Sequence, residues 1–220
     1  MIDRLLAKLA PHHCYGCGKI GSLLCDNCKY DIVSEPYMQC VLCGKLGGER
    51  GVCGQCGVDC TRAWCVGERH DALKQLVDGL KFERVYDAHT VLADLLVDRL
   101  PLLPDDLVIV PIPTIAHHIR QRGYDHAQLI ARQVARQIDR PLKPLLYRKT
   151  ISMQRGAGKR LREQQASQAF GARAADSTSC YLLIDDVVTT GATLRHAARA
   201  LKAAGASMVW VAVTSRQPLD

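Results

Sequence analysis

Two sets of residues have types and spacings suited to chemistry. The first is the run Tyr181-Leu-Leu-Ile-Asp-Asp-Val-Val-Thr-Thr-Gly-Ala-Thr-Leu194, where an apolar stretch ends in two carboxylates and a Thr/Gly loop leads into a helix-forming segment. Thr189, Thr190, Gly191, Ala192 and Thr193 offer hydroxyls and free N–H groups at a helix N-terminus, which is a cradle for phosphate. Asp185 and Asp186 lie beside that loop at the distance of a ribose, whose two hydroxyls they could hold. Capping alone explains neither the tandem acids nor the Thr-Thr-Gly-Ala-Thr loop. The chain contains no Gly-x-x-x-x-Gly-Lys-Ser/Thr phosphate loop and no Gly-x-Gly-x-x-Gly dinucleotide turn.

The second set is cysteine. Ten of the eleven cysteines fall between Cys14 and Cys65. Eight of them form four Cys-x-x-Cys pairs: Cys14/Cys17, Cys25/Cys28, Cys40/Cys43 and Cys53/Cys56. A two-residue gap lets both thiolates of one turn bind a single tetrahedral ion, and two such knuckles complete a shell of four. Two structural Zn²⁺ ions are the natural count. The seven- and nine-residue spacers admit sequential pairing, as two short ribbons, or an interleaved cross-brace, and sequential pairing is favoured. Cys60, Cys65 and Cys180 have no partner knuckle and read as buried thiols. His12 and His13 read as polar residues beside a knuckle.

The odd cysteine count argues against a disulfide framework. The start, Met1 to Ala10, is interrupted by charge and is not a secretory signal, so a cytoplasmic protein is expected. The longest apolar stretches, Leu107 to Pro113 and Met208 to Val213, are far too short for a bilayer, and no membrane span is expected. The composition, 48% hydrophobic and 23% charged, is that of a globular chain. The net charge of +7 is concentrated in residues 117–162, which hold twelve Lys/Arg against Asp125 and Asp139. Such a block could face nucleic acid or receive a phosphorylated ligand. Only Tyr124 and Tyr147 fall in it, which gives little support to base stacking.

The elements that position these groups alternate. Leu73, Leu76, Val77 and Leu80 mark an amphipathic helix expected to continue through Leu92, Leu95 and Leu96, until Pro101 and Pro104 end it. Leu107 to Pro113 reads as a strand buried on both faces. Ala127, Ile130, Ala131, Val134 and Ile138 mark a helix, Tyr181 to Ile184 a strand, Leu194, Ala197, Ala198 and Leu201 a helix closed by Gly205, and Met208 to Val213 a last strand. This is an α/β pattern, a parallel sheet flanked by helices with right-handed crossovers. The expected division is a zinc-binding module over residues 1–66 and an α/β domain over 67–220. In open sheets of this kind ligands bind at the carboxyl ends of strands, where Asp185 and Asp186 fall.

The run 181–194 resembles the phosphoribosyl-pyrophosphate (PRPP) motif of type I phosphoribosyltransferases. With the knuckles, the whole chain resembles the ComF/GntX family of bacterial DNA-uptake and DNA-utilisation proteins. Leu80-Lys81-Phe82, Val110-Pro111-Ile-Pro113, Arg120-Gln-Arg-Gly123, and Gln154 eight residues before Arg162, itself eight before Phe170, carry the rest of the likeness. Two segments depart from the family pattern. Arg122-Gly-Tyr-Asp-His126 stands where Arg-Gly-Phe-Asn-Gln is usual, and Gln165 where Asn is usual.

The resemblance implies a type I phosphoribosyltransferase-like sheet behind a double zinc ribbon. It implies ribose contacts from Asp185 and Asp186, a 5-phosphate site at Thr189 to Thr193, and a pyrophosphate contact after Pro113. Displacing pyrophosphate from C1 builds positive charge on the ribose, which carboxylates stabilise, while Arg120, Arg122 and Mg²⁺ neutralise the departing group. The stretch Gln154 to Arg162 reads as a mobile hood whose Lys159, Arg160 and Arg162 either follow phosphate or stay solvated. His117, His118 and His126 read as polar surface. The expected activity is Mg²⁺-dependent transfer from PRPP. The alternative is a DNA-binding competence accessory protein whose PRPP pocket is a sensor or vestigial, with single-stranded DNA or a helicase-like DNA-uptake protein as partner.

Overall fold

The computed structural model describes residues 12–149 and 170–218. Four parallel strands form the sheet: β1 (Arg62–Glu68), β2 (Leu107–Pro111), β5 (Cys180–Val188) and β6 (Met208–Arg216), in the order β1-β6-β5-β2. β3 (Leu146–Arg148) and β4 (Phe170–Ala172) make a separate antiparallel pair. The helices are α1 (Asp26–Ser34), α2 (Asp71–Phe82), α3 (Ala88–Arg99), α4 (Ala116–Arg122), α5 (His126–Gln137) and α6 (Ala192–Ala203). No helix among the described residues is long and apolar enough to cross a membrane.

Each sheet face carries its own apolar layer. Ile109, Leu182, Ile184 and Ala212 pack against α2, α3 and α5 through Leu76, Leu80, Leu92, Leu96, Ile130 and Val134. Val110, Leu183, Val211 and Val213 point the other way, onto α6 through Leu194, Ala197, Ala198 and Leu201. Every residue of β2 is buried, as its unbroken apolar run requires. Side chains such as Leu182 and Leu183, fully removed from water, each contribute about 1.5–3 kcal/mol.

The expected long helix over Leu73 to Leu96 is two. Arg84, at φ 57°, adopts the left-handed conformation, and Val85 N–H closes back on Gly79 O, so the chain turns between α2 and α3. β5 and β6 run further than the apolar residues alone suggest, so Asp185 and Asp186 lie inside β5. β1 was read as the tail of the cysteine-rich part, yet it pairs with β6 from Arg62↔Trp210 to Glu68↔Arg216. It crosses positions 66 and 67, where the sequence reading divided the chain.

Residues 12–60 wrap β1 from both sides. Cys14, Leu23 and Leu24 join the layer under α2 and α3, whereas Cys40, Val41, Leu42, Val52, Cys56 and Cys60 join the layer under α6. Arg99 of α3 ties the first part to β1, donating to Ile32 O at 3.0 Å and Glu35 O on the one and to Val66 O at 2.8 Å on the other. Arg199 of α6 holds the second through Asp59, at 2.7 and 3.1 Å.

Candidate functional site

The eight knuckle cysteines gather as two tetrads, Cys14/Cys17/Cys25/Cys28 and Cys40/Cys43/Cys53/Cys56, with the ligand atoms of each set within 4.8 Å of one another. Pairing is therefore sequential. The Sγ atoms of Cys17 and Cys25 are 3.7 Å apart, as are those of Cys43 and Cys53. A tetrahedral ion with Zn–S bonds of about 2.3 Å sets that edge at about 3.8 Å. The thiols of each tetrad split: the neighbouring Cys25 holds Cys28 high and burial holds Cys56 high, while one thiol in each set is lowered by backbone donors. Burial opposes ionisation of Cys14, but the N–H groups of Cys25, Cys17 and Gly16 bring it down to about 6. The Cys56 N–H brings Cys53 down to about 7. The donor set and its spacing thus fit structural zinc. Cys60, Cys65 and Cys180 are buried, and burial pushes each thiol up to about 12, as inert apolar groups require.

At the carboxyl end of β5 the two acids face opposite ways. Asp186, 3% exposed, points toward the face of α2 and α5, where Lys81 Nζ lies 2.8 Å and His126 Nε2 3.0 Å from its Oδ2. Burial raises its pKa, but Lys81 and His126 more than offset this and hold it below the usual carboxylate range. Its backbone is pinned by Thr214 Oγ1, which donates to Asp186 O at 2.6 Å. Asp185 is partly exposed, and burial followed by the neighbouring Asp186 charge pushes it well above the usual range. The pair therefore splits into one fixed anion and one acid that holds its proton more readily.

After β5, Thr189 and Thr190 are exposed, and so is Thr193 in the first turn of α6. Gly191 is buried at φ 70°. Gly191 was expected in the phosphate cradle, and its missing side chain faces the second tetrad, where a Cβ would run into Leu42 O. The glycine is required by the contact between loop and knuckle as well as by its left-handed backbone.

β2 ends one strand away. Thr114, in the loop that follows, donates from Oγ1 to Asp125 Oδ1 at 2.8 Å, and the same oxygen caps α5 by accepting from Gln128 N at 3.1 Å. Arg120 is exposed on α4, and Arg122 donates to His126 Nδ1 at 2.9 Å while stacking on Phe82. His126 was expected on the surface, but it is 6% exposed and sits between Arg122 and Asp186. Its position as first residue of α5, on the same face as Ala127 and Ile130, is the signal that could have found it. Sequence reasoning also missed Lys81 as the partner of Asp186. Arg148 was missed too; its Nε donates to Pro113 O at 2.8 Å and its charge acts on Asp185. The expected hood, Gln154 to Arg162, and Gln165 lie outside the described residues.

No family model matches the chain. It is similar to Competence protein F of Haemophilus influenzae, with 31% identity over 209 residues covering 86% of this chain and 88% of that protein. Competence protein ComFC of Bacillus subtilis is 29% identical over 193 residues, 81% of this chain and 77% of its own. The DNA utilization protein YhgH of Escherichia coli K12 is 24% identical over 216 residues, 86% of this chain and 94% of its own.

Proposed function

The chain belongs to the ComF/GntX family of competence and DNA-utilisation proteins, and from that premise we propose that it binds PRPP with Mg²⁺ as a phosphoribosyltransferase-type protein. The observation that carries this reading is the continuity of β5 with the N-terminus of α6. A partly exposed carboxylate, Asp185, leads within five residues to the hydroxyls of Thr189 and Thr190 and then to the first turn of α6. That spacing suits a ribose whose 5-phosphate meets the helix N-terminus.

In this reading Thr189 to Thr193 hold the 5-phosphate and Asp185 takes the ribose hydroxyls. Asp186 adds negative charge beneath the ring without reaching the sugar, because Lys81 and His126 occupy its outer oxygen. Arg120, Arg122 and the loop after Pro113 meet the pyrophosphate. Fixed negative charge under C1 favours the cationic ribose that forms as pyrophosphate leaves. Mg²⁺ bound with the pyrophosphate would supply charge neutralisation there. Calorimetric titration with PRPP tests this: binding is expected with Mg²⁺, to weaken on its removal, and to be lost in Asp185→Asn. Equal heats for wild type and Asp185→Asn would refute the assignment.

The relatives' names and the basic segment around Arg120, Arg132, Arg136 and Arg140 favour a second reading, a DNA-binding accessory of competence with single-stranded DNA or a helicase-like protein as partner. DNA bound through Z phosphates weakens with salt at a slope of about −0.7Z, which Mg²⁺-dependent PRPP binding does not share. Thiols kept reduced for metal suit the cytoplasm.

A further inference from the structure

We infer that His126 is a positioning residue that joins the two halves of the ligand site, holding Arg122 on one ring nitrogen and facing Asp186 with the other. The inference rests on the PRPP reading of the site. Arginine has only donors, so the 2.9 Å contact between Arg122 Nη1 and His126 Nδ1 requires Nδ1 to accept. The ring proton then sits on Nε2, 3.0 Å from Asp186 Oδ2, the oxygen that also takes Lys81 at 2.8 Å. A neutral imidazole with one fixed tautomer thus connects α4, α5, β5 and α2. Its backbone is fixed in turn, because Asp125 caps α5 one residue earlier while gripping Thr114 in the loop after β2. Orientation of the arginine expected to meet pyrophosphate is coupled in this way to the carboxylate at the end of β5.

The bridge has a chemical signature. A protonated ring presents N–H on both sides, so Nδ1 can no longer accept and Arg122 is turned away. The charged groups around the ring are Arg122 and His118 on α4, Lys81 on α2, Asp185 and Asp186 on β5, Asp125 beside it and Arg148 on β3. Added positive charge among them would by itself strengthen the hold on a polyanion. Loss of the bridge weakens it. The direction of the pH effect therefore separates positioning from simple charge. Glutamine, with one acceptor and one donor at similar reach, can make both contacts without titrating.

The test is PRPP affinity with Mg²⁺ at about pH 8 and about pH 5.5, together with ¹⁵N NMR of the imidazole, which reads its protonation at each pH directly. Wild type is expected to lose about tenfold in affinity relative to His126→Gln on going to the lower pH, the worth of one hydrogen bond to a charged group. At the higher pH His126→Gln should match wild type, while His126→Leu should bind more weakly by a similar factor. The ¹⁵N shifts should report the Nε2–H tautomer. Parallel pH profiles for wild type and His126→Gln, tighter wild-type binding at low pH, or an Nδ1–H tautomer would each overturn the inference. If wild type takes no PRPP at any pH, the PRPP reading falls, and the tautomer and its change in Arg122→Met then decide the bridge alone.

Discussion

The two cysteine tetrads have the same ligands and similar spacing, yet they sit on opposite faces of the sheet and touch different parts of the molecule. The first packs under α2 and α3, and Tyr15 beside it abuts Gly79 in the middle of α2. The second lies against the candidate ligand loop. Leu42 O meets Gly191, and Val41 O accepts from the buried Arg216 at 2.6 Å. One cysteine tetrad thus completes a core layer, while the other also serves as a floor for the loop that would hold phosphate. Identical chemistry acquires different consequences from the strand β1 that separates the two.

Removing a ligand from each tetrad is the sharpest way to break that comparison. Cys40→Ser should lose one of two metal ions and most of a folding contribution on the order of 10 kcal/mol. Ligand binding should be lost with it, measured by metal analysis and PRPP titration on the same sample. Cys17→Ser, on an exposed ligand, should also lose one metal but leave PRPP affinity within about threefold, a difference under 1 kcal/mol. Equal losses of affinity in both variants would remove the distinction.

Next in size is Asp186→Asn. It leaves Lys81 and the buried His126 without their anion, and should cost about 3–5 kcal/mol in urea unfolding. The pH dependence has a definite sign. Because the folded-state pKa of Asp186 is depressed, its contribution is present above the unfolded carboxylate range and is lost as pH falls below it. The mutant should show less of that acid-side loss than wild type.

Gly191→Ala acts where the second knuckle meets the loop. A left-handed alanine costs about 1–3 kcal/mol, and the added methyl must displace Leu42 O. PRPP affinity should fall more than global stability does. The smallest effect belongs to the tie between α6 and the second knuckle. Arg199 is 58% exposed, so Asp59→Asn should cost less than about 1 kcal/mol despite the two-pronged contact. A larger loss would mean that this ion pair, and not the Leu42 contact, fixes the knuckle on the sheet.

Much of this arrangement was legible in local pattern. Cys-x-x-Cys spacing marks the four knuckles but leaves their pairing to the fold, which groups them in sequence, and apolar runs such as Leu107 to Pro111 bury themselves on either side. The loop 189–193 reads correctly as a strand-to-helix turn because its composition suits nothing else nearby. What escaped depends on contacts across long sequence separations. β1 carries only Ala63 to Val66 as apolar signal, and its identity as a strand comes from pairing with β6, nearly 150 residues later. His126 resembles its solvated neighbours His117 and His118 until α5 turns it toward Asp186. Gly191 was read for a ligand when its tightest neighbour is the protein itself.

The most direct test of the central claim is calorimetric titration of the zinc-loaded protein with PRPP, with Mg²⁺ and without it. The account predicts saturable, Mg²⁺-dependent binding of one PRPP per chain. Absence of binding with Mg²⁺ present and both tetrads filled would contradict it.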